Sequence, residues 1–522
     1  EYGRYTVANA LVENTQRYDG IHSYYKGDVT VRSSTIRNSK SQGLFAKGDQ
    51  GSFFREVSNS IIENNGANGI HTLNLGSAST LLGNTIQNNS QNGVSYHHDD
   101  LDSTDVFFTG NVLSNNGQSG IRSSAANFVD NTFEGNEMGI SLWGKLGHRY
   151  TDESGVDGNT FTGNTYNNVV GLEGYFLKGI LSATFPETIT SGAYMFQRYD
   201  YYSEGTNQRG VAVSKNDTLT IAPGVIIKAW DGRYSDGAFG TNDGMIVAEG
   251  TESNPIIFTS WRDDSAGGDT DAVDDTVSAK ANDWGGLFIH DRYNDNDGIA
   301  KHSRLSHVQI KYAVYGLDLE MGEQLFTDEL DHISISNSFH HGMVLEYGRY
   351  TVTNALIEHT QRYDGIHSYY KGDVTVRSST IRNSKSQGDS FFREVSNSTI
   401  ENNNKSGLYI NDAKSPMTFQ NNVISNNSEF GIFANVTEAT TDTALTIAGN
   451  RIENNQLVGI ASSRAIILND TLTGNYYPIA TTGELSKVET INANGNYYED
   501  NIIHSNRIDS VSVLFGTVKG KI

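Results

Sequence analysis

The feature that most constrains this chain is a short, polar, turn-sized repeat. Its core is Asn-x-Ile/Phe-x-x-Asn, a few small polar residues, then Gly-Ile. Residues 60–71 (SIIENNGANGIH) and 84–95 (NTIQNNSQNGVS) are typical, and 111–122 and 131–141 follow the same pattern. The glycine of the Gly-Ile pair falls at 20, 43, 69, 93, 120 and 139, a beat of 19–27 residues. Each beat carries short alternating apolar runs, such as Val29/Val31, Thr35-Ile36 and Leu44-Phe45, separated by Gly/Asn/Ser corners. Alternation of this kind reads as strand, and no helical run of 10–15 residues stands between the strands. One such turn cannot bury its own apolar side, but a stack of turns builds one continuous core. The expectation is an all-β chain folded as a parallel β-helix (β-solenoid) of roughly 20 turns, with strands stacked at ~4.8 Å. Recurrent Asn-Asn pairs (64–65, 88–89, 115–116, 402–403, 426–427) suit amide ladders up the stack, and asparagine tolerates left-handed backbone.

A second periodicity lies above the first. Residues 346–388 repeat residues 1–43 with three changes: Ala8 becomes Thr353, Val12 becomes Ile357 and Asn14 becomes His359. After an eight-residue stretch (44–51) replaced by Asp389 alone, residues 52–65 return as 390–403. The beat continues at Gly407, Gly431, Gly459 and Pro478, so the spacing is kept after the residues have drifted. The chain reads as a window on a tandem array of modules near 345 residues long. Four segments follow: 1–175, the later turns of one module; 176–215, a Tyr-rich junction; 216–345, opening turns with long acidic loops in the middle third; and 346–522, a second copy of 1–175.

Composition removes several functional classes. There is no cysteine, hence no disulfide framework, thiol nucleophile or Cys-bound metal. The formal charge of −23 argues against nucleic acid, whose phosphates need a basic face. No apolar run is long enough to insert in a membrane.

The N-x-I-x-x-N…G-I pattern resembles the right-handed parallel β-helix repeat proteins of the pectate-lyase-like superfamily, over roughly 1–175 and 300–522. Residues 219–229 (LTIAPGVIIKA), 249–260 (EGTESNPIIFTS) and 282–286 (NDWGG) are similar to opening turns of β-helix modules in large bacterial and archaeal surface proteins. The resemblance implies a right-handed solenoid and leaves function open, since the superfamily holds lyases, hydrolases, epimerases, adhesins and fibres.

Two sets of residues are candidates for chemistry. The acidic loop Asp263, Asp264, Asp269, Asp271, Asp274, Asp275, and a second loop with Asp295 and Asp297, offer closely spaced hard oxygens of the kind calcium takes. Calcium is the one cofactor expected. Aligning turns on Gly-Ile also puts His22, His71 and Ser95 in one column, with Tyr24, Lys47 and His97, then Lys26, Asp49 and Asp99, beside it. Such groups are what proton abstraction beside a uronate requires. The duplicate keeps His22, Tyr24 and Lys26 as His367, Tyr369 and Lys371 but not the whole set: His71 becomes Tyr409, His97 becomes Asn435, and the 47–49 segment is deleted. The motifs of polygalacturonase-like enzymes are incomplete and out of order, with only His340-His341-Gly342 and Gln309-Ile310-Lys311 present. Arg37 and Arg382 fall on the outer face by alternation.

The expectation is therefore a non-catalytic structural module of a large secreted or cell-surface protein, a fibre, sheath or adhesin stalk. It would self-associate through neighbouring modules. The alternative is a carbohydrate-active β-helix: an acidic-polysaccharide lyase or epimerase, or a glycan-binding adhesin.

Overall fold

A computed structural model describes residues 2–47, 52–73, 77–98, 105–167, 169–187, 189, 192–196, 210–229, 238–242, 244–270, 277–290, 303–320, 327–369, 372–385, 392–413, 416–436, 445–463, 465–481, 492–494, 496–499 and 514–515. Every regular element among them is a β-strand, and every strand pairing is parallel. The chain is the solenoid the repeat demands. In the first copy each turn places one strand on each of three faces. The turn starting at Gly27–Arg32 continues through Thr35–Arg37 to Leu44–Lys47 before returning to the first face at Phe53–Ser58.

The three-residue strands point one side chain inward. Ile36, Ile62, Ile86, Leu113 and Phe133 stack in one column of the core, and Leu44, Ile70, Val94, Ile121 and Ile140 in another, all fully buried. The beat glycines sit where the third face begins and neighbouring turns touch. A Cβ on Gly69 would stand 2.7 Å from the Gly93 carbonyl oxygen, so no larger residue fits without moving the turn.

The Asn-Asn pairs divide the labour between their two members. The first residue (Asn64, Asn88, Asn115, Asn402, Asn426) takes φ of 53–58° and turns the corner. The second is buried in an amide ladder: Asn65 Nδ2 donates to Asn89 Oδ1 at 2.9 Å, Asn89 to Asn116 at 3.0 Å, and Asn116 to Asn136 at 3.0 Å. A second ladder runs through Asn84, Asn111, Asn131 and Asn159. On the outside, Arg37 pairs with Glu13 and Arg382 with Glu358, both at 2.7 Å, the same cross-turn ion pair in both copies. Half-exposed pairs of this kind contribute little stability.

One feature has no counterpart in the repeat pattern. The third-face sheet of the first copy continues unbroken through Val169–Leu181, Ala193–Phe196 and Ile226–Ala229 into the second copy. There it holds Leu356–Glu358 and Thr380–Arg382, the equivalents of Leu11–Glu13 and Thr35–Arg37, which lie on the second face of the first copy. Equivalent strands have slipped by one face. The slip begins at Val169–Leu181, whose start pairs with Ala193–Phe196 and whose end opens a different sheet with Thr218–Ile221. The boundary expected at residue 176 falls inside this strand.

Candidate functional site

The third face of the first copy carries outward residues in strict register: His22, Phe45, His71, Ser95, Arg122, Ser141 and Gly171 lie one above another. The small members, Ser95, Ser141 and Gly171, make the floor of a groove of about 330 Å³. His71 and Asn68 close one end, while Arg122 and Glu173 stand in it as an ion pair of 2.5 Å. The guanidinium of Arg122 also lies over the Trp143 ring at 3.7 Å, and that ring packs on His97 at 3.9 Å.

The protonation of His71 follows from its neighbours. The backbone N–H of Asn92 donates to Asn68 Oδ1 at 3.0 Å, which orients the Asn68 amide with its nitrogen toward the histidine. Asn68 Nδ2 then donates to His71 Nδ1 at 3.1 Å, so that nitrogen is the acceptor and Nε2 carries the hydrogen. Burial, aided by the charge of Arg122, pushes the His71 pKa down to about 4. The imidazole is neutral near pH 7, with its lone pair already engaged. It can donate a hydrogen bond through Nε2–H but is poorly placed to take a proton.

The predicted residues divide accordingly. His22 is exposed, bonded to Asp19 (2.9 Å) and edge-on to Phe45. His71 and Ser95 line the groove, His97 packs on Trp143 beside it, and Asp49 and Asp99 lie outside the described residues. Arg122, absent from the sequence candidates, stands two residues after Gly120, in the same column as His22 and His71. The duplicate column reads Tyr409, Phe433, Ala461 and Ala480, with Tyr409 and Phe433 stacked at 4.5 Å. The second copy therefore has an apolar, aromatic surface where the first has a polar groove.

The acidic loop is partly described. Asp263 is buried and accepts from Thr259 Oγ1 (2.7 Å) and from the Ser265 hydroxyl and backbone N–H. Beside it Lys228, fully buried, donates to the Gly268 carbonyl at 2.6 Å and lies 3.3 Å from the Thr270 hydroxyl. Asp264 and Asp269 are exposed. Asp271, Asp274, Asp275, Asp295 and Asp297 lie outside the described residues.

A second polar cluster occupies the sheet formed by Gly286–His290, Leu317–Glu320, Met343–Glu346 and Ile366–Tyr369 in the later turns. His290 Nε2 lies 3.4 Å from Asp318 and its Nδ1 3.8 Å from Glu320. Burial, with Asp318 and Glu320 nearby, raises the Glu346 pKa above the usual carboxylate range. Next to these, His341, Asp364 and His367 converge.

The family profile described as a right-handed beta helix region matches residues 2–166 and 327–472, more than half of the chain. The chain belongs to the right-handed β-helix family. Its profile carries no assignment of activity. No curated protein matches the chain. Among solved structures it is similar to the A-module of the mannuronan C-5 epimerase AlgE4 from Azotobacter vinelandii, with 11% identity over 95% of this chain and 91% of that one, and a TM-score of 0.21. A likeness that low carries no argument about this right-handed β-helix. No helix among the described residues is long and apolar enough to cross a membrane.

Proposed function

We propose that this β-helix is a structural, non-catalytic module of a secreted or cell-surface protein whose first copy also binds a neutral saccharide in the Asn68–Glu173 groove. The observation that carries this is the state of His71: uncharged, its lone pair taken by Asn68, so that this histidine is not the open base that proton abstraction needs. Amides, serine hydroxyls and the Nε2–H of His71 suit a ligand rich in hydroxyl groups. The groove's size lies at the low end of the ~300–1,000 Å³ of small-ligand sites. Arg122 is matched by Glu173, and Glu137 lies on the rim, so a polyanion gains little here. This favours a neutral glycan over the acidic polysaccharide of the alternative reading. Self-association through neighbouring modules, and calcium at the exposed carboxylates of the acidic loop, remain part of the structural proposal.

The test is a glycan array followed by calorimetry with the best neutral oligosaccharide. Arg122→Ala is expected to weaken binding at least ten-fold, and Ala461→Ser, at the equivalent point of the second copy, to leave it unchanged. Incubation of an acidic polysaccharide in D2O would overturn the reading if C5–H exchange or chain cleavage appeared and was lost in His71→Ala.

A further inference from the structure

We propose that His341, Asp364 and His367 form a binding site for a divalent transition metal of the zinc type. His341 and Asp364 each stand immediately before a beat glycine, Gly342 and Gly365, in adjacent turns, and His367 lies two residues beyond the second. Backbone bonds from Gly342 N to the Asp364 carbonyl (3.0 Å) and from Met343 N to the Gly365 carbonyl (2.8 Å) fix the two turns against each other. A Cβ on Gly342 would come within 2.5 Å of the Gly365 oxygen, so the backbone carrying these side chains has little room to shift. The three residues thus project from a rigid ladder, as a preorganised site requires.

Their ligand atoms all lie within 4.8 Å of one another, the one convergent group of three His, Asp or Glu residues among the described residues. His367 Nδ1 is 2.8 Å and His341 Nδ1 3.6 Å from Asp364 Oδ2. Zinc bonds of ~2.0–2.1 Å in a tetrahedron put neighbouring ligand atoms roughly 3.3 Å apart, between the two observed values. Two imidazole nitrogens and one carboxylate are a donor set for zinc, copper, nickel or iron, whereas calcium and magnesium prefer oxygen alone.

A second observation points the same way. Asp364 is 97% buried on its side chain's 3% exposure, and its Oδ1 has no hydrogen-bond partner; His341 Nδ1 is likewise buried and unpartnered. Folded proteins seldom leave such atoms unpaired. The His341 ring is held between neighbours, stacked on Tyr363 at 5.1 Å and tilted against His367 at 4.7 Å. Glu346 acts electrostatically on His367 and itself feels Asp318 and Glu320, and this acidic surround favours a cation.

The duplication repeats two of the three residues. Asp19 and His22 repeat Asp364 and His367, with the same contact at 2.9 Å. There Asp19 Oδ1 accepts the Gln42 backbone N–H at 2.9 Å, and the position equivalent to His341 falls before residue 1. The competing account of the second copy is a hydrogen-bonded His–Asp pair with a stacked imidazole and no metal.

The experiment uses the full chain, stripped with chelator and titrated with Zn²⁺ by calorimetry at pH 7.5. One equivalent is expected to bind, at least thirty-fold more weakly in His341→Ala and in His367→Ala, with affinity unchanged in His22→Ala. Apo melting curves report whether the variants fold. Zinc K-edge absorption of the wild-type complex, which needs no variant, is expected to show two imidazole ligands. Absence of binding, equal binding in His341→Ala, loss in His22→Ala, or a shell of oxygen alone would each overturn the proposal.

Discussion

Replacing Asn116 with alanine is expected to destabilise the first copy by about 4 kcal/mol, among the larger effects a single residue can have. The buried side chain makes four hydrogen bonds. Its oxygen accepts the Asn89 backbone N–H (3.2 Å) and Asn89 Nδ2 (3.0 Å), and its nitrogen donates to the Ile86 carbonyl (3.1 Å) and Asn136 Oδ1 (3.0 Å). Alanine would leave these buried partners short of a bond, at ~1 kcal/mol or more each. Urea unfolding followed by far-ultraviolet circular dichroism measures the loss. A change below 1 kcal/mol would mean that the ladder decorates the corners and does not hold them. Asn116→Asp keeps the acceptor but removes both donors, and should fall between alanine and wild type.

The second large effect has the opposite sign, and the protein itself contains the aspartate version. In the second copy Asp470 holds the place of Asn131 in the ladder. It accepts from the Asn450 backbone N–H (2.6 Å) and from Asn450 Nδ2 (2.8 Å), while its Oδ2 is buried without a partner. Burial raises its pKa to about 6, against hydrogen bonds from Asn450 that pull the other way. A carboxyl whose pKa is higher folded than unfolded favours folding when protonated. That stability is complete below the unfolded value of 3.8 and is lost as pH rises through about 6. The loss at neutral pH is about 3 kcal/mol. Asp470→Asn should recover most of it at pH 7.5, by restoring a donor toward Asn496, and almost none at pH 4. Melting temperatures of the two proteins across this range test it. A gain that does not vary with pH would show that the carboxyl is not the origin.

Much of this fold was legible because packing leaves few choices at the inner positions. Gly69, Asn89 and Ile86 each meet the next turn at contact distance, so their types recur at the beat and betray it. The outer face is under no such constraint. Arg122 and Glu173 form a pair across 51 residues, and nothing in the beat joins them. In the sequence His341 stands out only as part of an out-of-order His-His-Gly, whereas its meaning lies in the turn next to Asp364. A column two residues after each beat glycine exposed His71. A column one residue before each would have exposed His341. The slip between faces was not legible at all. It arises in Val169–Leu181, where the Asn…Gly-Ile pattern stops and the thread that aligns one turn with the next is missing.

That slip governs what can hold both copies at once. The nearly identical stretches 1–43 and 346–388 are separated by about a dozen ladder steps, some 60 Å at ~4.8 Å each. Because equivalent strands ride on different sheets, the two stretches do not look out along one line. A flat receptor that recognised one of them could not reach the other by lying along the rod, and the gain from two-point attachment would vanish. A partner that winds around the rod could grip both. Duplication has therefore multiplied the recognition sequence without making it bivalent toward a plane, and any avidity it supplies is reserved for flexible or encircling ligands.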